Sequence, residues 1–540
     1  KEVVAFKDES IWSVAKRNGN TLPHLCYSDQ SGYRPDGNCR ACMVSIDGER
    51  VLAASCIRKP TEGMKVYTND TRSKKSREMV LELLVTDQPK KQSSHDPDSH
   101  FWKMAEKVNI SNSRFDKKQK SLIPSSDVSN RAMSVNLDAC IHCNLCVRAC
   151  REVQVNDVIG MGMRGYESKV IFDFDDPMGD STCVSCGECV QACPTGALME
   201  SSLLDEKGKH KGRPDREVDS LCPYCGVGCQ LTFKIKNEKI VAAQGREGPA
   251  NKNRLCVKGR FGFDYIHDEA RLTNPLIRLE GKIKDPNERL DPKNPLTHFR
   301  EASWEEALDL AAKKFMKIKN EVDGKPLAGF GCAKGSNEEA YLFQKLIRTG
   351  FNNNNVDHCT RMCHASSVAA LMESIGTGAV TATVSEIKNA DVAIVIGARP
   401  TQNHPVAATF IKNEIKRGLK LIIMDPREQD LSRIAAKHLK FKPGTDVALL
   451  NGMLNVIIEE GLVDRQYIEK YTEGYLELKK HVKDFTPEEM SMVCGISAEE
   501  IRETARIFAK AKSAMIFWGM GISQHIHGTD NSRCLISLAM

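Results

Sequence analysis

Two hydrophobic patterns alternate along this chain. In the C-terminal half, short apolar runs such as Val392–Ile396 and Leu419–Met424 are separated by stretches of helical periodicity. Runs this short suit strands buried on both faces. Asp391-Val-Ala-Ile-Val-Ile396 leads into Gly397-Ala-Arg-Pro400, and Lys420-Leu-Ile-Ile-Met424 leads into Asp425-Pro-Arg427. The helical stretch Val406–Arg417 stands between them, so the segment predicts a βαβ unit, whose ligands bind beyond the carboxyl ends of the strands. Neither turn is a G-x-G-x-x-G dinucleotide loop. Ser303-Trp-Glu-Glu306 has capping-box spacing and predicts a helix start. Near the N-terminus, Val44-Ser-Ile46 followed by Asp47-Gly48 predicts a strand and hairpin turn. Glu200–Ser220 is charged and poor in large apolar residues, which predicts a linker.

Composition narrows the class. The chain has 540 residues, 41% of them hydrophobic and 27% charged, as in ordinary globular proteins. That length calls for several domains. The net charge of +6 is small for this size, so nucleic acid is not an expected partner. The apolar runs are far too short for a transmembrane segment. The chain begins with Lys1 and ends inside the apolar stretch Leu535–Met540, which reads as a piece of a longer protein.

The 21 cysteines change the picture most. Sixteen of them fall into four sets with iron–sulfur ligand spacing. In a large chain, C-x-x-C units favour metal ligation in a reducing compartment over disulfides, and a cytoplasmic location is expected. Cys26, Cys39, Cys42 and Cys56 are spaced C-x12-C-x2-C-x13-C, with Gly37 in the loop where a Cβ would collide with a cluster. Cys140, Cys143, Cys146 and Cys150 repeat the bacterial ferredoxin run, as do Cys183, Cys186, Cys189 and Cys193, the last followed by Pro194. In such pairs the fourth cysteine of each run serves the other cluster, so Cys193 is expected with the first three and Cys150 with the second three. Cys222, Cys225, Cys229 and Cys256 form the fourth set, with Lys258 in Cys256-Val-Lys258-Gly. The two ferredoxin runs predict two [4Fe–4S] clusters; what the first and fourth sets resemble implies one [2Fe–2S] and a third [4Fe–4S] cluster.

The first set resembles the N-terminal domain of the large iron–sulfur subunit of complex I. That resemblance implies a further cluster held by one His and three Cys, but no cysteine occurs between Cys56 and Cys140. The cluster is therefore expected to be absent, with His95 and His100 as surface residues. The fourth set resembles the N-terminal cluster of the molybdenum or tungsten bis-pterin oxidoreductases, in which the equivalent of Lys258 helps electrons cross between cluster and pterin. Val356-Asp-His-Cys359-Thr-Arg-Met-Cys363-His364-Ala resembles the active-site segment of formate dehydrogenases. The likeness continues through Asn403-His404-Pro405, Asp425-Pro-Arg427, Gly444-Thr-Asp446 and Phe517-Trp-Gly-Met-Gly521.

The resemblance implies that Cys363 ligates the metal and that His364 exchanges a proton, as imidazoles can at neutral pH. It implies pterin–guanine dinucleotide contacts at Ser336, Asn337, Gly397, Asp425, Arg427, Thr445, Asp446 and Gly519. An arginine for the formate carboxylate, and the remaining pterin contacts, are expected beyond residue 540. Cys359 is expected to pack rather than ligate, and Cys332, Cys494 and Cys534 are expected in the core.

The fold class implied is a multidomain α+β and α/β chain: a ferredoxin-like β-grasp [2Fe–2S] domain, a two-cluster ferredoxin domain, and molybdopterin oxidoreductase domains with Rossmann-like βαβ units. The expected boundaries are 1–75 for the [2Fe–2S] domain, 76–130 for a cluster-free remnant, 131–205 for the ferredoxin pair, 206–220 for a linker, 221–275 for the third [4Fe–4S] domain and 276–540 for the incomplete catalytic domains. The activity implied is reversible oxidation of formate to CO2 at a molybdenum or tungsten bis(molybdopterin guanine dinucleotide). Electrons would leave to a partner: an NAD- and flavin-binding subunit of diaphorase type, a ferredoxin-linked subunit or a hydrogenase. The competing readings are a non-catalytic electron-transfer subunit like that of complex I, and another bis-pterin reductase such as a nitrate reductase.

Overall fold

A computed structural model describes residues 2–116 and 124–540. The part of the expected 76–130 remnant at 117–123 lies outside the described residues. The chain divides into two compact units, residues 1–263 with 404–413, and residues 264–403 with 414–540.

The first unit begins with helix Ile11–Arg17, capped by Ser10, whose hydroxyl accepts from the Ser13 amide. It buries Ile11, Trp12 and Val14, and the Trp12 indole donates to the Leu22 carbonyl at 3.1 Å. The helix packs on strand β1 (Met43–Ile46), which turns its alternate residues Val44 and Ile46 inward. β1 pairs antiparallel with β2 (Ala53–Ala54) and β3 (Val66–Tyr67). The loops of this small sheet carry the first cysteine set. Gly37 has φ +65°, a left-handed backbone that favours glycine, and an added Cβ would also displace the exposed Ile57 side chain.

Helices Thr71–Thr86 and His100–Lys107, capped by Asp70 and Ser99, bury Leu81, Val85, Phe101, Trp102 and Ala105 in one cluster with Leu25 and Ala41. The two histidines of this segment are not surface residues. The His95 ring bonds to the Gly208 carbonyl at 2.9 Å and to Asp138 at 3.2 Å. The His100 Nε2 lies 2.8 Å from the His24 carbonyl, and the two rings are 4.8 Å apart. Both are half-buried pins between chain segments, a role their isolated positions in the sequence do not advertise.

The ferredoxin pair follows. Strands β4 (Met133–Val135) and β7 (Leu198–Glu200) pair antiparallel, and β5 (Ile159–Gly162) forms a hairpin with β6 (Lys169–Phe172). Next comes an antiparallel sheet in the order β10-β9-β8, with β8 at Arg216–Leu221, β9 at Gln230–Lys236 and β10 at Lys239–Gly245. The expected linker over 206–220 therefore ends in a strand. Residues 404–413, which begin helix Pro405–Lys416, complete this unit, with Val406 buried among Cys222, Cys229, Leu231 and Leu255.

The second unit opens with the short antiparallel pair β11 (Leu276–Arg278) and β12 (Phe299–Glu301). Ser303 caps helix Trp304–Val322 as its spacing predicts, accepting from the Glu306 amide. Strands β13 (Gly329–Gly331) and β14 (Val356–His358) are parallel. The main sheet is wholly parallel, in the order β17-β16-β15-β18, with β15 at Val392–Ile396, β16 at Lys420–Met424, β17 at Lys437–Leu439 and β18 at Ala514–Trp518. All five residues of β15 are buried, as a central parallel strand requires. Helix Asp446–Glu459 carries the core, burying Leu449, Leu450, Met453 and Leu454 with residues of the helices Ala498–Ala509 and Gly528–Ala539. Cys494 is buried and Cys534 packs against this core, as expected. Cys332 and Cys359 are exposed instead of packed. Cys359 Sγ accepts from the Ala333 amide at 3.3 Å. Among the described residues no helix is long and apolar enough to cross a membrane.

Candidate functional site

The cysteines gather by set. In the first, the Cys26 thiol bonds to those of Cys39 and Cys56, and Cys42 bonds to Cys56. These bonds pull Cys26 and Cys42 below the ordinary thiol range and push Cys39 and Cys56 above it. Four thiolates this close repel one another, and iron cations among them remove that repulsion. The donor set fits a [2Fe–2S] cluster on those grounds.

The ferredoxin runs cross. Burial raises the Cys143 and Cys146 thiols, and both also feel the charges of Cys140 and Cys193. Burial likewise raises Cys183, Cys186 and Cys189, which feel Cys150. Cys150, Cys183, Cys186 and Cys189 line one cavity with Val158 and Ile159. Peptide amides point at the sulfurs: His142 N lies 3.4 Å from Cys140 Sγ, Val158 N 3.3 Å from Cys150 Sγ, and Ser185 N 3.4 Å from Cys183 Sγ. Such donors stabilise thiolates, which cluster iron needs as ligands. Among the described residues no three His, Cys, Asp or Glu side chains close on a single ion position. The thiol grouping and the amide donors suit clusters of several irons rather than one ion.

In the fourth set, burial raises the Cys222 and Cys229 thiols, which also feel Cys225 and Cys256, while Lys258 pulls Cys222 the other way. Cys222 N donates to the Cys229 carbonyl at 2.9 Å. Lys258 is half-buried on helix Val257–Phe261, two residues past Cys256.

One buried network joins these modules. Tyr33, from the first cysteine loop, donates its hydroxyl to Glu188 at 3.0 Å. Glu188, between Cys186 and Cys189, accepts from Arg260 at 3.2 Å, with both side chains fully buried. Arg260 also donates to the Cys186 carbonyl at 2.7 Å and to Gln191 at 2.8 Å. Burial raises the Glu188 carboxyl, against the opposing pull of Arg260 and Tyr33.

In the second unit, Cys363 ends the short helix Thr360–Cys363 and is half-buried. His364 caps the following helix, Ala365–Ile375. Its Nδ1 lies 3.0 Å from Ser523 Oγ. Ser523 is held in turn by Ser367 Oγ at 2.6 Å, and Ser367 accepts from the Trp518 indole at 2.9 Å. Ser366 donates to the Ser523 carbonyl at 2.6 Å, and Gln524 donates to the Met362 carbonyl at 3.0 Å. The loop after β18 is thereby fastened to the Cys363-His364 segment. The sequence does not single out Ser523, whereas Trp518 lies in the segment Phe517–Gly521 that carries part of the likeness and Ser367 belongs to the serine pair after His364-Ala365.

The residues expected at the pterin dinucleotides divide. Gly397, Asp425 and Gly519 follow β15, β16 and β18 directly, at the carboxyl ends of adjacent parallel strands. Strand order reverses between β15 and β18, since the chain runs β15, β16, β17 to one side and returns to the other. Such switch points are where open parallel sheets hold ligands. Gly397 has φ +57°, and an added Cβ would lie 2.8 Å from the backbone of Gly521 and Ile522, so the two loops approach too closely for any side chain there. Asp425 is buried and accepts from the Arg427 amide at 2.9 Å, while the Arg427 side chain is exposed. Thr445 bonds to the Lys442 carbonyl at 2.6 Å. Asp446 starts its helix, its carboxyl raised by burial and opposed by the charge of His525. Ser336 is committed to a capping box with Glu339, and Asn337 is exposed on the same helix, apart from the main sheet. Buried and backbone-crowded groups at the strand ends fit a polar dinucleotide.

Residues 271–540 match the molybdopterin oxidoreductase family, and residues 215–268 match the molybdopterin oxidoreductase Fe4S4 domain. Residues 1–71 match a 2Fe-2S iron-sulfur cluster binding domain and residues 139–197 a 4Fe-4S dicluster domain. The chain is 31% identical over its whole length to the probable oxidoreductase YjgC of Bacillus subtilis, covering 56% of it. It is 40% identical over 60% of its length to formate dehydrogenase H of Escherichia coli, covering 44% of that protein. The chain thus spans about half the length of these relatives. Acetylene hydratase from Pelobacter acetylenicus shares the fold over 59% of this chain and 43% of its own, with a TM-score of 0.50 and 23% identity. The chain belongs to the molybdopterin oxidoreductase family, with [2Fe–2S] and [4Fe–4S] cluster domains preceding the molybdopterin domain.

Proposed function

We propose that this chain is the catalytic part of a formate dehydrogenase that interconverts formate and CO2. The observation that carries the reading is the Cys363-His364 pair, with His364 oriented by Ser523 from the loop that follows β18. The 40% identity to formate dehydrogenase H over 60% of the chain supports it. The competing wiring subunit has no use for a thiol and an oriented imidazole at this place.

The cofactor would be a molybdenum or tungsten bis(molybdopterin guanine dinucleotide), which when bound supplies the two-electron acceptor for formate oxidation. Cys363 would ligate the metal through its thiolate. Gly397, Gly519, Asp425, Arg427, Thr445 and Asp446 would hold the dinucleotides, with Ser336 and Asn337 as more distant contacts. The reaction HCOO⁻ → CO2 + H⁺ + 2e⁻ leaves a proton to be taken from the site. His364 Nδ1 is engaged by Ser523, which leaves Nε2 as the atom to accept that proton. Lys258, whose charge acts on Cys222, would help electrons cross from the pterin to the fourth cysteine set.

One [2Fe–2S] cluster at Cys26, Cys39, Cys42 and Cys56 and three [4Fe–4S] clusters would carry the electrons to a partner subunit of diaphorase, ferredoxin-linked or hydrogenase type, in the cytoplasm. The domains would divide at 75, 130, 205, 220 and 275, with 76–130 holding no cluster. Formate-dependent reduction of a viologen dye, with molybdenum, tungsten and iron analysis of the full-length protein, tests the assignment. Formate-driven dye reduction that is lost in Cys363→Ala is expected. Full activity in that variant, or nitrate turnover in place of formate, overturns it.

A further inference from the structure

Arg148 ends the short helix Leu145–Arg148, between the ferredoxin ligands Cys146 and Cys150, and is only 2% exposed. A guanidinium is rarely buried so completely without a set of acceptors around it. Its Nη2 donates to the Cys26 carbonyl at 2.6 Å and to the Cys143 carbonyl at 3.2 Å. Its Nη1 donates to the Arg34 carbonyl, and its Nε to the Asn144 carbonyl at 3.3 Å. One nitrogen atom therefore bonds the peptide of a ligand in the first cysteine set and the peptide of a ligand in the second. Cys26 itself is fully buried at this junction. The loop around it is also held to the ferredoxin pair by the Tyr33–Glu188 bond, by Arg34 Nε to Glu152 at 2.9 Å, and by a peripheral bond from Asn38 Nδ2 to the His142 carbonyl at 3.2 Å.

We propose that Arg148 is the electron bridge and positioning residue between the [2Fe–2S] module and the ferredoxin cluster of Cys140, Cys143, Cys146 and Cys193, joining them directly through the Cys26 and Cys143 carbonyls. The inference rests on the cluster assignments made above. It offers a direct route across the stretch between Cys56 and Cys140, where the sequence has no cysteine to hold a further cluster. The Cys140 and Cys26 sets would each hold a cluster, and one electron would pass from the first, oxidised by one electron, to the second, reduced by one. No covalent bond forms or breaks, and Arg148 keeps its protons. Its positive charge favours the more negative, reduced [2Fe–2S] state, because charge and hydrogen bonding around a cluster set its potential.

Two variants of the full-length, cluster-loaded enzyme separate charge from bridging. Arg148→Lys keeps the charge but has one nitrogen on a flexible stem in place of a rigid fork. Arg148→Met removes the charge. Redox titration followed by EPR reads the [2Fe–2S] potential. Photoreduction followed by freeze-quench EPR reads how fast electrons equilibrate between the [4Fe–4S] and [2Fe–2S] signals, with no need for formate. In Arg148→Lys, full iron content, an unshifted potential and equilibration slower by about tenfold are expected. In Arg148→Met the [2Fe–2S] potential moves to a more negative value. Asn38→Ala, at the same junction, is expected to equilibrate at the wild-type rate. Arg148→Lys equilibrating as fast as wild type overturns the proposal, and so does Asn38→Ala slowing it equally, since the junction as a whole would then matter and not Arg148. A wild-type protein with no [2Fe–2S] signal fails at the cluster assignment itself, a result visible before any variant is made.

Discussion

Glu188 and Arg260 form an ion pair at 3.2 Å with neither side chain exposed, although 72 residues separate them in the chain. Each lies beside a different cysteine set, so the pair locks the Cys183 loop to the helix that carries Lys258. A buried pair of this kind stabilises little over an apolar replacement, but breaking it leaves one uncompensated charge. Glu188→Leu alone is expected to destabilise the loaded protein by about 3–5 kcal/mol. The double change Glu188→Leu with Arg260→Met should recover much of that loss. Denaturation with iron release as the readout checks both, and equal instability of single and double variants would show that the pair's other bonds, to Tyr33, Gln191 and the Cys186 carbonyl, dominate.

The His364–Ser523 contact predicts a split between a proton carrier and its orienting partner. His364→Ala should lower kcat by about 10²–10⁴ if the ring accepts the proton of formate oxidation. Ser523→Ala should lower kcat by about tenfold and change the pH profile of kcat, with KM for formate little altered. Steady-state kinetics across pH with formate and a viologen dye distinguishes them. A Ser523→Ala enzyme with an unchanged pH profile would count against the orienting role.

Gly397 predicts a cofactor defect without loss of clusters. Alanine there meets both a left-handed backbone and the 2.8 Å approach of Gly521 and Ile522. The backbone term alone is about 1–2 kcal/mol, and the collision adds to it by prising apart the loops after β15 and β18. Gly397→Ala should therefore retain iron but lose guanine nucleotide, measured by release and chromatography of the bound pterin. A full complement of guanine in that variant would remove the crevice from the dinucleotide site.

The reach of sequence reasoning follows the range of the interactions involved. The cysteine sets are legible because ligand spacing is local, and the exchange of Cys150 and Cys193 is a property of the repeated run. The parallel strands β15 and β16 are legible because strands buried on both faces are apolar throughout. Strand β8 is not: it lies at the edge of its sheet, five of its six residues are exposed, and backbone bonding to β9 holds it without any apolar signature. Arg148, Ser523 and the Glu188–Arg260 pair act through contacts made at long separations, which leave no local pattern. Cys332 and Cys359 show the converse, since a lone cysteine's burial depends on packing that its neighbours in sequence do not encode.

Glu200 supplies a pH dependence that can be read without formate. It closes β7, is 3% exposed, and burial raises its carboxyl to about 7, with Arg260 and Lys234 only partly opposing. A carboxyl raised in the folded state binds more protons there than in the unfolded chain, so stability falls as pH rises from the ordinary carboxylate range to about 7 and is flat above it. The loss across that window is at most ~3 kcal/mol from this group. Glu200→Gln, which stays neutral, should flatten the decline between about pH 4.5 and 7 and be more stable than wild type above it. Chemical denaturation of the loaded protein at a series of pH values reads the difference between the two curves. Parallel curves would mean that Glu200 ionises in the folded protein as readily as in the unfolded one.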